Sequence, residues 1–207
     1  MNMDTINFIV NKFNLLKEID EIGKYIMPIQ INEFTRNNLA ELFAELGFQY
    51  GAEIGVEQGV YSDILLRENP KLTLTGVDAW KAYDGYRDHT RQAKLDKFYQ
   101  TTLEMLKPYG DRSILLPMFS MQAINVIRDE SLDFVYIDAN HDFAHVTEDI
   151  FHWSKKVRSG GIIAGHDYYT ENIPSHVHVP YVLEGYTKAY NIKPWFIFED
   201  SWMFVKQ

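Results

Sequence analysis

Gly51-Ala-Glu-Ile-Gly-Val-Glu-Gln-Gly59, followed by the run Val60 to Leu66, is the stretch on which the reading of this chain turns. A short apolar strand that ends in glycines and runs into a helix opens a ligand crevice at the carboxyl edge of an open α/β sheet. Glu57 stands where the dinucleotide fingerprint would require a glycine, and a carboxylate there repels a pyrophosphate seated on the helix N-terminus. Glu53 lies inside the strand end, where an acid is costly without a partner. A ligand carrying ammonium or sulfonium charge accounts for it. Gly55 and Gly59 alone say less, because tight helix-on-strand packing also asks for glycine.

Composition sets the outer limits. With 207 residues, 46% of them hydrophobic, the chain can bury roughly 70% of its unfolded surface around one core. One domain over 1–207 is expected, with a helical cap over 1–46 and an α/β core over 47–207. A net charge of -9 opposes binding to a phosphate backbone, so no nucleic acid is expected as partner. The absence of cysteine excludes disulfides, zinc-thiolate sites and a thiol nucleophile. No apolar run approaches the ~20 residues of a membrane helix, and the N-terminus lacks the basic start of a signal peptide. No membrane partner and a cytoplasmic location are the expectation.

Outward from the glycine turn the chain alternates strand and helix. On the N-terminal side, Ile6, Ile9, Val10, Phe13, Leu16 and Ile19 predict a helix within 4–27 that Pro28 ends, and a second helix runs from Glu33 to Leu46, closed by Gly47. The first helix packs on the domain, or caps a substrate site or a partner subunit. On the C-terminal side, a strand from Leu72 to Val77 ends in Asp78, placed to hold ribose hydroxyls with both oxygens. Ala79 and Trp80 follow it. Trp80, Tyr83 and Tyr86 stack on a base, line an acceptor site, or cover the edge of the core. A helix from Arg87 to Leu106, a strand from Ser113 to Leu116, and a helix from Ser120 through Ile127 come next, with Ser120 read as its N-cap.

Leu132 to Ile137 is the most continuous apolar strand, as the centre of a parallel sheet should be, and it runs into Asp138-Ala-Asn-His141. A helix over 142–157 and a strand over 162–164 lead to Gly165-His166-Asp167. The loop 168–180 carries His176 and His178, a His-x-His pair that ligates metal or is incidental. A helix from Val182 to Tyr190 and a hairpin of Trp195–Phe198 with Trp202–Val205 finish the chain. Asp138 and His166-Asp167 thus fall at two strand ends that should be neighbours. Hard oxygen ligands there suit a divalent ion held by Asp138, His166 and Asp167; acids at such places also cap the following helices.

Glu53, Gly55 and Gly59 match the first motif E-x-G-x-x-x-G of the class I S-adenosylmethionine-dependent methyltransferases, which this chain resembles. The resemblance spans roughly 51–207 and leaves the N-terminal helices uncovered. It implies a Rossmann-like, doubly wound and mostly parallel seven-stranded sheet with a C-terminal antiparallel hairpin. It also implies S-adenosylmethionine as cofactor, contacted by Glu53, Gly55, Gly59, Asp78, Ala79, Trp80, Ser120 and Asp138. Asp138-x-x-His141 with Gly160-Gly161 and His166-Asp167 is similar to a subgroup containing macrocin-type sugar O-methyltransferases and cephalosporin-hydroxylase-like proteins. That similarity implies Mg²⁺ on Asp138 and the later pair, with His141 as general base beside Asp138. His166 replaces the usual first acid of the pair, which raises the case for Mn²⁺. The Asn-Pro-Pro-Tyr motif of amino-group methyltransferases is absent, so a hydroxyl on a small molecule is the expected acceptor. A homo-oligomer is compatible with all of this.

Two other functions stand beside this one. An iron-dependent oxygenase would use the clustered His and Asp, although its facial triad favours an H-x-D spacing that Asp142-Phe143 after His141 does not give. A non-catalytic protein on the same fold would bind adenosine compounds without turnover.

Overall fold

The computed structural model describes residues 4–18, 27–83 and 91–207. The N-terminal segment forms α1 (Thr5–Lys12), a single 3₁₀ turn at Leu15–Glu18, β1 (Ile29–Gln30) and α2 (Arg36–Glu45). There follow β2 (Tyr50–Ile54), α3 (Val60–Glu68), β3 (Thr73–Asp78), α4 (Gln92–Leu106), β4 (Ser113–Pro117), α5 (Ser120–Ala123) and β5 (Leu132–Ile137). The chain ends with α6 (Phe143–Lys156), β6 (Val157–Gly165), α7 (Val179–Ala189), β7 (Trp195–Phe198) and β8 (Ser201–Val205).

Among the described residues, eight strands form one sheet in the order β1-β7-β8-β6-β5-β2-β3-β4, one more than expected. The extra strand is β1, which pairs in parallel with β7 at the edge through Ile29 opposite Phe196. Two residues leave no periodicity to read, and only the neighbouring strand makes this segment extended. All pairings are parallel except those of β8 with β6 and β7. The expected doubly wound sheet with a C-terminal antiparallel hairpin is the one observed.

Side chains of β5 show why helices cover both faces. Phe134 and Tyr136 point into a cluster with Ile9 of α1, Leu39 and Phe43 of α2, and Phe196 and Phe198 of β7. Val135 and Ile137 point the other way, among Ile150 and Trp153 of α6 and Leu183 of α7. A strand buried on both sides reads as continuous apolar sequence, since the period-two alternation has no polar face to report. Phe43 stacks on Phe134 at 3.9 Å between ring centroids, and truncating such a ring to alanine costs about 3–5 kcal/mol.

Several boundaries move. The first helix covers only Thr5–Lys12, started by Asp4, whose side chain accepts from Ile6 and Asn7 N–H. Ile19, Tyr86 and Arg87 lie outside the described residues. The helix expected through Ile127 stops at Ala123. Strand β6 begins at Val157, five residues early, with a register irregularity against β5 that absorbs Gly160 and Gly161.

Candidate active site

Strands β2, β3 and β4 step outward in one direction, and the chain then returns to lay β5 on the other side of β2. A crevice must open between β2 and β5 at their carboxyl ends, because successive crossovers leave in opposite directions there. A cleft of about 540 Å³ occupies this place, within the ordinary range for small-molecule sites. Its described walls include Glu53, Gly55, Asp78, Ala79, Ser120, Asp138 and His141.

Gly55 makes the geometry possible. Its φ is +91°, and a β-carbon there would fall 2.0 Å from the carbonyl oxygen of Asp138. Only a glycine lets the ends of β2 and β5 abut, and that contact sets Glu53 and Asp138 in one cavity. Gly59, expected to face the cofactor, instead caps α3 with φ +81° and packs toward Thr102 of α4. It is absent from the described cleft wall, although Gln58 and Val60 on either side of it line the cleft.

Asp78 has a second task. One carboxylate oxygen accepts Val56 N–H at 3.1 Å and Glu57 N–H at 2.9 Å, and the other accepts Trp80 N–H at 2.8 Å. A carboxylate has about four lone-pair positions, and three are taken. One remains for a ribose hydroxyl, so the expected two-oxygen grip on the ribose is not available without releasing the turn. Trp80, also expected to touch the cofactor, lies behind the turn at 4% exposure. Its indole N–H donates to Glu57 carbonyl at 2.7 Å and its ring packs on Tyr99. It supports the loop from the core side.

The cleft carries charges of both signs. Glu53 is fully buried, accepts a hydrogen bond from the Ser62 hydroxyl, and is pushed up to about 8 by burial. Asp138 is raised too, by its enclosure and by Asp167. Arg36, the first residue of α2, sits 3.8 Å from Asp138 and 5.4 Å from the centre of the Tyr61 ring. Buried acids of raised pKa gain from a cationic ligand that restores their charge.

Beside them, His141 Nδ1 lies 3.1 Å from Asp167 Oδ2. Burial pushes Asp167 upward, but bonds from His166 and Tyr169 and the neighbouring imidazoles outweigh it and hold the carboxyl at about 2. Tyr169 hydroxyl donates at 2.6 Å. An ionised carboxylate so close to Nδ1 favours the tautomer that carries its proton there, which leaves Nε2 as the nitrogen able to take one. Asp167 holds this position with φ +61°, a left-handed conformation that Asp tolerates and that often marks functional strand ends.

The described group that could hold a metal ion differs by one residue from the expected trio. Asp138, His141 and Asp167 each offer an atom within 4.8 Å of the others. His166, named as a ligand from sequence, instead turns Nδ1 toward Asp167 at 3.4 Å. Two carboxylates and one imidazole suit a hard divalent ion and invert the two-imidazole, one-carboxylate set of iron oxygenases. His178 is absorbed by structure: its N–H donates to His141 carbonyl at 2.7 Å, and its Nδ1 accepts Phe143 N–H at 2.9 Å, an orphan donor at the start of α6.

At the far wall, Phe119, Ser120 and Met121 face the cleft. Ser120 follows the N-cap, Phe119, instead of being it. Its hydroxyl donates to Asp149 and accepts from Trp153 indole N–H at 2.8 Å. Burial pushes Asp149 up to about 7. Tyr83, left open between core cover and site wall, lines the cleft and meets Phe119 edge-on at 5.4 Å. Arg36 and Asp149 are lining residues that sequence reading missed. For Arg36 there was a signal: Thr35 and Asn38 form a capping box, which places a cation at a helix N-terminus where the macrodipole disfavours it.

Fold and site together define a doubly wound α/β protein with a nucleotide-type glycine turn and a mixed-charge cleft at its switch point. The Methyltransferase domain family matches residues 52–168, more than half of the sequence, and the chain belongs to that family. Among solved structures, it is similar to the O-methyltransferase of Bacillus cereus in complex with SAH, with a TM-score of 0.59 and 14% identity over 100% of this chain and 92% of that one. It is similar to the SAH-bound Podospora anserina methyltransferase PaMTH1, with a TM-score of 0.60 and 13% identity over 83% and 78%. It is also similar to TomG of Streptomyces achromogenes, an O-methyltransferase of tomaymycin synthesis in complex with SAM, with a TM-score of 0.57 and 13% identity over 100% and 92%. At these identities the likeness establishes the fold. No curated protein matches the sequence.

Proposed function

We propose that this protein transfers the methyl group of S-adenosylmethionine to a hydroxyl oxygen of a small molecule such as a sugar or natural product. The observation that carries the reading is the convergence of Glu53, Asp78, Asp138 and His141 on one cleft at the β2/β5 switch point. The donor set fits the cofactor. Glu53 supplies an anion for ammonium or sulfonium charge, Asp78 keeps one lone pair for a ribose hydroxyl, and Phe119 and Ser120 offer an aromatic face and a hydroxyl at the adenine end. Ser120 and Ala79 remain proposed contacts on this ground.

S-adenosylmethionine supplies an electrophilic methyl carbon, which the acceptor oxygen attacks in line as the sulfonium leaves as a thioether. An alcohol is a weak nucleophile until its proton has somewhere to go. His141, oriented by Asp167, is placed to take that proton on Nε2. The dyad accounts for acceptor activation through this chain's own residues.

A divalent ion is the alternative device at the same place, because an imidazole that ligates an ion cannot also take the acceptor's proton. Asp138, His141 and Asp167 would hold it, and bound there it would lower the acceptor's pKa as a Lewis acid. Mg²⁺ suits the two carboxylates, and Mn²⁺ tolerates the imidazole better. The macrocin-type arrangement would instead put the ion on Asp138 and the His166-Asp167 pair and leave His141 as the base. A cytoplasmic setting and a homo-oligomer are compatible with this reading.

The test is calorimetry with S-adenosylmethionine, followed by a methyl-transfer screen over sugars, phenols and polyketide hydroxyls, with Mg²⁺ and with excess EDTA. Tighter binding of NAD than of S-adenosylmethionine would overturn the reading. Binding without transfer to any acceptor would leave an adenosine-ligand protein on this fold.

A further inference from the structure

Arg36 has a placement that the fold does not explain. As the first residue of α2 it puts a positive charge on the positive end of a helix dipole. Its backbone is fixed, because Tyr61 hydroxyl donates to Arg36 carbonyl at 2.8 Å, and its guanidinium lies against the Tyr61 ring. Among the described residues, its charged end meets a carboxylate only through the long ion pair to Asp138, at 3.8 Å. That distance is beyond hydrogen-bond range. A planar fork of donors thus sits at the cleft wall, and no described carboxylate grips it.

The neighbours identify what fits. Glu53 and Asp138 line the cleft beside Arg36 and Tyr61, so this end of the cavity offers two acids and one fork-shaped cation together. An amino acid zwitterion has the complementary pattern, an ammonium for the acids and a carboxylate for the fork. The opposite wall, at Phe119 and Ser120, is aromatic and hydroxylic, as an adenine requires.

We propose that Arg36 binds the α-carboxylate of the methionine portion of S-adenosylmethionine, so that the N-terminal segment, outside the family-matched residues, completes the cofactor site. This rests on the methyltransferase reading. It orients the cofactor along the cleft, with the amino acid end at α2 and the adenine at α5.

The test compares S-adenosylmethionine with decarboxylated S-adenosylmethionine, which keeps the ammonium and sulfonium charges, by calorimetry on the full chain. Wild type should favour the carboxylated compound by about 10- to 100-fold, the ratio expected of a charge-assisted hydrogen-bonded pair. Arg36→Met should erase most of that preference while binding the decarboxylated compound within about threefold of wild type. Arg36→Lys, a charge without the fork, should restore part of it. Should the methionine variant not fold, the wild-type ratio and the lysine variant still decide. A wild-type protein that binds both compounds equally would overturn the role of Arg36 alone, as would equal losses for both compounds in Arg36→Met. Unchanged S-adenosylmethionine affinity with a raised KM for acceptor would move Arg36 to the acceptor and overturn it too. Wild type that binds neither compound would sink the methyltransferase reading and this assignment with it.

Discussion

His141 Nδ1 and Asp167 Oδ2 stand 3.1 Å apart, although 25 residues separate them in the chain. The contact exists because β5 and β6 are parallel neighbours, with Ile137 opposite Gly165, so the segments leaving their carboxyl ends emerge side by side. An imidazole held in one orientation by an ionised carboxylate is the arrangement a proton acceptor needs.

His141→Ala should therefore lower kcat by at least about 10²-fold with little change in melting temperature or in S-adenosylmethionine affinity. Asp167→Asn should lower kcat by roughly 10- to 100-fold, since the amide still bonds the ring but no longer favours the same tautomer as strongly. Steady-state kinetics alongside thermal melts decide it. Near-normal kcat in His141→Ala would reduce the dyad to a structural bond.

Chelation separates the two ways of activating the acceptor. If an ion on Asp138, His141 and Asp167 is required, excess EDTA should abolish turnover while calorimetric cofactor affinity stays largely intact, and Mn²⁺ or Mg²⁺ should restore it. Full activity in EDTA would assign activation to the His141–Asp167 dyad alone.

Asp78→Ala should do more than weaken cofactor binding. It strands the N–H groups of Val56, Glu57 and Trp80, and leaving buried donors unpaired costs about 1–3 kcal/mol each where water cannot reach them. The melting temperature should fall along with the affinity. A variant that loses affinity at unchanged stability would mean that ribose binding is the main task of Asp78.

Stability should fall as pH rises from about 4 to 7. Asp149 has its pKa raised from 3.8 to about 7 by burial, so across this window the folded state keeps a proton that the unfolded state has released, and the slope of stability with pH is negative. Below the window both states are protonated and the effect vanishes. The full shift corresponds to on the order of 4 kcal/mol, an upper figure. Glu53, raised to about 8, acts in the same direction. Asp149→Asn should flatten part of the slope in urea melts at pH 4, 6 and 8, because an amide has no proton to lose. An unchanged slope would show that Asp149 ionises freely in the fold.

Gly55→Ala and Gly59→Ala should differ sharply. The first drives a methyl group into the Asp138 carbonyl and should prevent folding or cost more than about 4 kcal/mol. The second meets Thr102 Cγ2 at 3.2 Å and mainly incurs left-handed strain of about 1–2 kcal/mol. Equal melting temperatures for the two variants would contradict this account of the turn.

The parallel core was legible because its signals are local. Apolar runs such as Leu72 to Val77 and Leu132 to Ile137 need no partner to be recognised, and Gly55, Asp78 and Asp138 mark where each strand must stop. Glu53 was identifiable as well, since an acid inside an apolar strand implies a charge partner wherever the strand lies. What tertiary structure decided was direction and company. Nothing near Trp80 in sequence reveals that its indole turns behind the loop toward Glu57, or that Asp78 spends three lone pairs on backbone N–H groups. Which histidine joins Asp138 and Asp167 depends on the side from which each segment leaves the sheet, and β1 is a strand only because β7 lies beside it. Arg36 reaches the cleft from the N-terminal segment because α2 packs across β5, with Phe43 stacked on Phe134. Propensity and periodicity are carried by a few consecutive residues, whereas a site is made of side chains whose meeting depends on strand order, and strand order is a property of the whole chain.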